Sequence, residues 1–499
     1  MRIMKVHRKI FGGKSVHIPI KISAARPGII GATTGMVGVA LLAGCQGEQK
    51  QEEPPNIIVV LSDDAGYADF GFTEGNQIST PNLDSLAADG IVCTQGYVTG
   101  STSAPSRAGL ITGMYQQRFG AECNVPTIPT PGHTKEDLGV DTSLTTYADR
   151  MKALGYQTMA IGKWHLGELP QYHPNRRGFD EFYGFPGGAR SYWPVEDPSH
   201  GRTMFHNKQP VNEQQQIEYL TDDLTDAALD FVDRNQDQPF FIYLAYNAVH
   251  TPFHAKQEDI EQSPSFDNEY RKILAAMTRS MDENIGRLRR KLRRLQLEEN
   301  TLIFFVNDNG GPDIRNAYSN GSLKGHKGSY WEGGIRVPFV VSWPGHLPQG
   351  KKYHQPVSTL DLLPTSIHAA GGTVAPEEEL DGTNLLPYLK GEQVGDPHDI
   401  LYWRFWRVSA VRQGPWKLIQ VAENPLKEDR DLLLPLMLFN LEKDPGETTN
   451  IAEENPAKTR ELLDSLKTWE TQLEKPRWYD GKDWKKWQEQ KVEMHRMTQ

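Results

Sequence analysis

Three cysteines in 499 residues, Cys45, Cys93 and Cys123, exclude a small scaffold held by disulfides. Stability has to come from a hydrophobic core, and a chain of this length has ample material for one. A long apolar run is also missing. The best candidate, residues 28–43, is short and rich in glycine for the ~20 residues that a membrane span takes, so a transmembrane anchor ranks below a cleaved leader. Positive charge is scarce as well, with 54 Lys and Arg against 64 Asp and Glu. That balance argues against general nucleic-acid binding. An anionic substrate would have to be held by a few local cations or a metal, not by the overall field.

One stretch reverses the balance. Residues 1–44 contain no acid but carry Arg2, Lys5, Arg8, Lys9, Lys14, Lys21 and Arg26, followed by the apolar run. This is the pattern of an export leader. It ends in Leu42-Ala43-Gly44-Cys45, which resembles a bacterial lipobox. The resemblance implies an exported bacterial lipoprotein, periplasmic or at the outer membrane or cell surface, touching the membrane only through a lipid on Cys45. Loss of the seven leader cations takes a chain of net charge −10 to about −17. Residues 45–55, polar and ending in Pro54-Pro55, read as a solvated tether. Cys93 and Cys123 could pair in an exported protein or be buried thiols, and both readings stay open.

Beyond the tether, short continuous apolar runs repeatedly end in polar residues. Asn56 to Leu61 runs into Ser62-Asp63-Asp64, and residues 157–161 into Gly162-Lys163-Trp164-His165. Residues 240–246 lead to Asn247-Ala248-Val249-His250, and residues 301–306 to Asn307-Asp308-Asn309-Gly310-Gly311. Such runs are strands buried on both faces of a parallel sheet. Helical patterns at 145–154, 220–232, 268–295 and 360–370 alternate with them. The fold class is therefore α/β, a large mixed and mostly parallel sheet flanked by helices, with polar side chains gathered along its carboxyl edge. Adjacent carboxylates such as Asp63 and Asp64 repel each other unless a cation lies between them, and oxygen ligands favour a divalent metal. Lys163 and His165, two apart, suit anion binding and proton movement. The basic run 287–294 has leucines at helical spacing, so a solvated basic face is preferred to a polyanion site.

Ser103-Ala104-Pro105-Ser106-Arg107, continuing to Thr112-Gly113, reads as a loop entering a short helix, with Ser103 at the N-terminus where anions are favoured. This segment resembles the signature of the formylglycine-dependent sulfatases of the alkaline-phosphatase superfamily, in which its first residue is oxidised to an aldehyde. The Asp63-Asp64 start, Gly162-Lys163-Trp164-His165, His250, Asp308-Asn309 and the run from Leu323 to Pro338 match the same family in order, over roughly residues 56–473.

The resemblance implies a sulfuric ester hydrolase with an alkaline-phosphatase-like core. It implies a metal, Ca²⁺ with Mg²⁺ as alternative, held by Asp63, Asp64, Asp308 and Asn309. Ser103 would become formylglycine, hydrated to a diol of which one hydroxyl attacks sulfur. Arg107, Lys163 and Lys327 would neutralise the sulfuryl oxygens, His250, alone or with Lys327, would protonate the leaving oxygen, and His165 would help expel sulfate. Glu332 and Arg336 read as scaffold. A serine at this position resembles the substrates of anaerobic radical-SAM maturating enzymes, which become the expected partner. A sulfated polysaccharide or oligosaccharide is the expected substrate, with Arg190-Ser191-Tyr192-Trp193 as a sugar-contacting surface. Two rivals are a phosphatase or phosphodiesterase using Ser103 directly, and an inactive surface glycan-binding lipoprotein. The layout is leader 1–44, tether 45–55, catalytic domain 56–380, a smaller α+β subdomain 381–475, and a Trp-rich tail 476–499 without an assigned role.

Overall fold

The computed structural model describes residues 53–496 except 76, 199–200, 376–377 and 423–433. The leader, the lipobox cysteine and most of the tether lie outside the described residues. A ten-stranded sheet forms the centre, in the order Lys351–Tyr353, Ile91–Cys93, Phe339–Ser342, Thr301–Asn307, Asn56–Ser62, Phe240–Ala245, Gln157–Lys163, Glu181–Phe185, Phe205–His206, Gln209–Pro210. The five strands from Thr301–Asn307 to Glu181–Phe185 are mutually parallel. Side chains along a strand alternate between faces, and the Asn56 strand shows what each face buries. Ile57, Val59 and Leu61 join a core with Ala108, Leu110, Tyr147, Met151 and Leu362. Ile58 and Val60 join another with Leu224, Phe231, Met281, Ile285 and Leu288. Helices thus cover both faces, which is why these strands read as unbroken apolar runs.

The run Val337 to Ser342 divides at Pro338, which lacks the N–H that a ladder needs. Arg336–Val337 pairs with Gly96–Tyr97 in a three-stranded sheet, and only Phe339–Ser342 enters the main sheet, antiparallel to Thr301–Asn307. The basic helical run is not a free cationic face. Arg287 pairs with Asp226, Arg289 with Asp89 and Glu298, Lys291 with Asp233, and Arg293 with Glu298.

The C-terminal strands Leu401–Phe405, Val408–Gln413, Trp416–Val421 and Met437–Asn440 form an antiparallel sheet. Trp403, Phe405, Ala410 and Phe439 from this sheet belong to the first core. Val411, Leu418 and Leu438 pack with the helix Pro456–Glu470. The described residues accordingly cluster as one compact unit. Cys93 and Cys123 are separate buried thiols. Among the described residues no helix is long and apolar enough to cross a membrane.

Candidate active site

Asp63 and Asp64 follow the central strand directly. Asp63 N–H donates to the Ala248 carbonyl (2.8 Å), and Asp64 turns into the left-handed region at φ 65°. Asn307, at the end of the neighbouring strand, fixes this turn: its Oδ1 accepts from Ser62 Oγ and Ala65 N–H, and its Nδ2 donates to the Ala65 carbonyl. An unusual backbone held by a buried amide is typical of a functional turn.

Ser103 is the first residue of the helix Ser103–Thr112, every residue of which is buried. Its Oγ lies 3.3 Å from Asp63 Oδ1, 3.3 Å from Asn309 Oδ1 and 3.2 Å from Lys163 Nζ. The next amide, Ala104 N–H, donates to Asn124 Oδ1 at 3.0 Å. The structure therefore brings Ser103 to both acidic strand ends.

Three cations face three carboxylates here. Lys163 Nζ is 2.6 Å from Asp63 Oδ2, and Lys327 Nζ is 2.6 Å from Asp64 Oδ1. Arg107 donates from Nε and Nη2 to Asp308 Oδ2 (3.0 and 2.9 Å) and from Nη1 to the Lys163 carbonyl. Its side chain is fully buried, and these bonds orient Asp308 and the end of the Lys163 strand. Burial opposes charge on Lys327, but Asp64, Asp63 and Asp308 outweigh it and hold the pKa above the usual lysine value. Lys163 is shifted down, mainly by burial. Burial also raises Asp63, helped by Asp308, whereas Asp64 and Asp308 are held low against burial, Asp64 chiefly by Lys327 and Asp308 chiefly by Arg107.

The histidines differ. His250 Nδ1 donates to the Thr251 carbonyl (2.6 Å), which leaves Nε2, 3.5 Å from Asp64 Oδ2, directed at the site. At His165, at φ 60°, burial and then Lys163 and Arg107 push the pKa far down. Its Nδ1 has no hydrogen-bond partner. Gly188 presses on the opposite edge of the ring, where an added Cβ would come 2.5 Å from Nε2.

Asp63, Asp64 and His250 offer atoms within 4.8 Å of one another. Asp308 joins them through its Oδ1, which accepts from Asp64 N–H at 3.2 Å, and Asn309 through the oxygen it points at Ser103. Buried carboxylates this close repel one another and favour a cation among them. An all-oxygen set of three carboxylates and an amide fits a hard divalent ion.

The site opens through a cleft of about 850 Å³ lined by Asp64, His250 and Lys327. Its other walls hold residues that no motif had signalled: Asn124, Ile314 and, from the tail, Trp487 and Lys491. The Arg190 segment does not serve as expected. Arg190 is buried in an ion pair with Glu213, and Tyr192 is buried with its hydroxyl on the Asn247 and His250 carbonyls. Trp193 alone of the three is exposed. The tail packs on the molecule: Trp478 Nε1–H donates to the Cys123 carbonyl, and the helix Trp484–Met494 borders the cleft.

Comparison with known proteins gives a consistent picture. The sulfatase family model matches residues 55–372, and the model for the C-terminal part of N-sulphoglucosamine sulphohydrolase matches residues 326–476. The N-acetylgalactosamine-6-sulfatase of Homo sapiens is 33% identical over 433 residues, which span 79% of this chain and 81% of that protein. The uncharacterized sulfatase YdeN of Escherichia coli (strain K12) is 32% identical, covering 71% of this chain and 70% of its own. Among solved structures, Ps i-CgsB in complex with k-i-k-neocarrahexaose is 37% identical, with TM-score 0.78, covering 86% of this chain and 95% of that one.

Proposed function

The chain belongs to the sulfatase family and is a sulfuric ester hydrolase, and from that premise we propose a substrate, a nucleophile and a metal. The substrate is a sulfated glycan, most specifically a carrageenan-type oligosaccharide. The nucleophile is formylglycine made from Ser103, and the metal is Ca²⁺ or, failing that, Mg²⁺, on Asp63, Asp64, Asp308 and Asn309. The related hexasaccharide complex supports the substrate class. One observation carries the chemistry: the Ser103 oxygen lies between Asp63, Asn309 and Lys163, where a converted residue 103 would keep an oxygen in the same place.

When bound, the cation would supply a Lewis acid that draws charge from the sulfuryl oxygens. Lys163 and Lys327 would pair with those oxygens from either side of residue 103. His250 Nε2 would give its proton to the departing sugar oxygen, and the neutral His165 would accept one from residue 103 as sulfate leaves. Arg107 is a positioning residue, keeping Asp308 ionised and aimed. The aldehyde form of residue 103 supplies a hydrate, so sulfate can depart without water attacking sulfur.

Because Ser103 and its helix are buried, oxidation has to precede folding, which supports a radical-SAM maturase acting before export. The basic leader and Cys45 support a lipid-anchored exported protein. Co-expression with such a maturase should make the Ser103 peptide lighter by two hydrogens, and sulfate release should rise with the converted fraction. If unconverted protein releases sulfate as fast, Ser103 itself is the nucleophile and the phosphatase-type reading replaces this one. Stoichiometric zinc in the purified protein would overturn the hard-cation assignment.

A further inference from the structure

Three tail tryptophans end in three different settings. Trp478 is buried, and Trp484 stacks on Tyr479 with ring centroids 4.6 Å apart. Trp487 stays 48% exposed on the wall of the catalytic cleft. The helix Trp484–Met494 docks through Gln488, Lys491 and Val492, all buried, and Trp487 lies on its flank, about a quarter turn from that face.

This wall is fixed against both halves of the reaction centre. Asn124, whose Oδ1 holds the amide beside Ser103, donates its own N–H to Asp480 Oδ1 in the tail (3.2 Å). On the other side Tyr330 N–H donates to His495 Nε2 (2.7 Å), Trp331 Nε1–H to the Met494 carbonyl (2.9 Å), and Lys491 Nζ to the carbonyl of Gly328, next to Lys327 (3.4 Å). Lys491 also lies over the Phe405 ring, 3.4 Å from its centroid.

The cleft's volume of about 850 Å³ falls toward the upper end of the ~300–1,000 Å³ of small-molecule sites, more than one sulfated ring would fill. Ile314, another exposed apolar side chain, lines it as well. An indole at half exposure offers a large flat contact with few rotatable bonds to order, the behaviour of binding anchors. The C-terminal family match ends at residue 476, so this wall lies outside the region the chain shares with that model.

We propose that Trp487 is a stacking platform for a sugar ring beyond the sulfated one, making the tail helix a subsite that selects oligosaccharides over small sulfate esters. The inference rests on the sulfated-glycan reading above. The apolar face of that second pyranose would cover the indole while the sulfate of the neighbouring ring reaches Lys163 and Lys327.

The test measures Trp487→Ala and Trp487→Phe in converted enzyme on k-i-k-neocarrahexaose and on 4-nitrophenyl sulfate. It also measures hexasaccharide binding by calorimetry to Ser103→Ala with and without Trp487→Ala. Trp487→Ala should lower kcat/KM for the hexasaccharide about tenfold more than for the aryl ester and weaken binding about tenfold, with Trp487→Phe retaining most of both. Equal losses on both substrates, unaltered binding, or no hexasaccharide binding by the Ser103→Ala parent would overturn the subsite. If the parent binds through Trp487 but converted enzyme releases no sulfate, the platform stands and the hydrolytic reading fails.

Discussion

Two clusters of buried charge in this molecule both set carboxylates against cations and do different things. At the sheet edge, Asp63, Asp64 and Asp308 face Lys163, Lys327 and Arg107. Where the loop after Lys327 meets the C-terminal sheet, Lys417 lies 2.8 Å from Glu332 and 2.9 Å from Glu447, with all three side chains fully buried. Tyr97 donates to Glu332 Oε2, Arg412 to Tyr97, and Glu332 N–H to Glu447 Oε2. That second cluster is sealed, and its charges are absorbed in joining two sheets. The first keeps His250 and Lys327 partly exposed to a cleft and leaves buried polar atoms such as Thr102 Oγ1, His165 Nδ1 and both Asn247 amide atoms without partners. Buried charge alone therefore does not mark an active site. Buried charge that opens to a cleft is the better mark.

The largest expected effect breaks only the open cluster. Ser103→Ala should reduce sulfate release by at least about 10³-fold, because no other nucleophile stands at that point. Thermal stability should stay at the parent value, since Ser103 Oγ makes only long contacts of 3.2 to 3.3 Å. Retained turnover would remove residue 103 from the mechanism.

Next come substitutions that leave a buried charge alone. Asp308→Asn deprives the Arg107 guanidinium of its nearer anion, leaving only Asp63 at 3.7 Å, and Lys417→Met leaves Glu332 and Glu447 facing each other. Each should cost about 3–5 kcal/mol in denaturant unfolding. The comparison predicts a split in function: Asp308→Asn should also lose the metal, measured by elemental analysis, whereas folded Lys417→Met should keep metal and kcat. Loss of metal from folded Lys417→Met would show that the clusters act as one.

Gly188→Ala is a milder probe. A Cβ there would stand 2.5 Å from His165 Nε2, so the imidazole has to shift. A fall of about tenfold in kcat with KM little changed would place His165 in the reaction. An unchanged kcat would make it part of the packing.

What was legible in the sequence follows from the same contrast. Strands buried on both faces announce themselves as apolar runs, and the residue after each run falls on the carboxyl edge whatever the distant chain does. Asp63, Lys163 and Asp308 could be placed on that basis, and the Ser103 motif joined them. Arg190 could not, because its neutraliser Glu213 is met only after folding. Asn307, Asn124 and Trp487 were equally hidden. Their parts depend on which backbone or cleft comes near, and an isolated asparagine or a tryptophan among lysines carries no periodic signal.

The smallest effect separates the clusters by pH. Lys417 serves two carboxylates, and the structure divides it unequally. Burial raises Glu447 to about 7 despite Lys417, whereas at Glu332 Lys417 and Arg412 overcome burial and hold the pKa at about 2. Glu332 thus contributes stability above its unfolded pKa, near 4.5, and loses it as pH falls toward 2. Glu447 has the opposite sign: the folded state binds its proton more tightly, so stability falls as pH rises from about 4.5 to 7 and is level above. The two windows do not overlap. Glu447→Gln keeps an acceptor for Glu332 N–H and removes the titration, so unfolding free energy should become flatter between pH 5 and 7. At pH 8 the variant should exceed the parent by about 1–3 kcal/mol. The kcat profile should not move, since Glu447 does not face the cleft. Parallel stability curves for parent and variant would mean that the Glu447 carboxyl is ionised throughout and that Lys417 satisfies both acids equally.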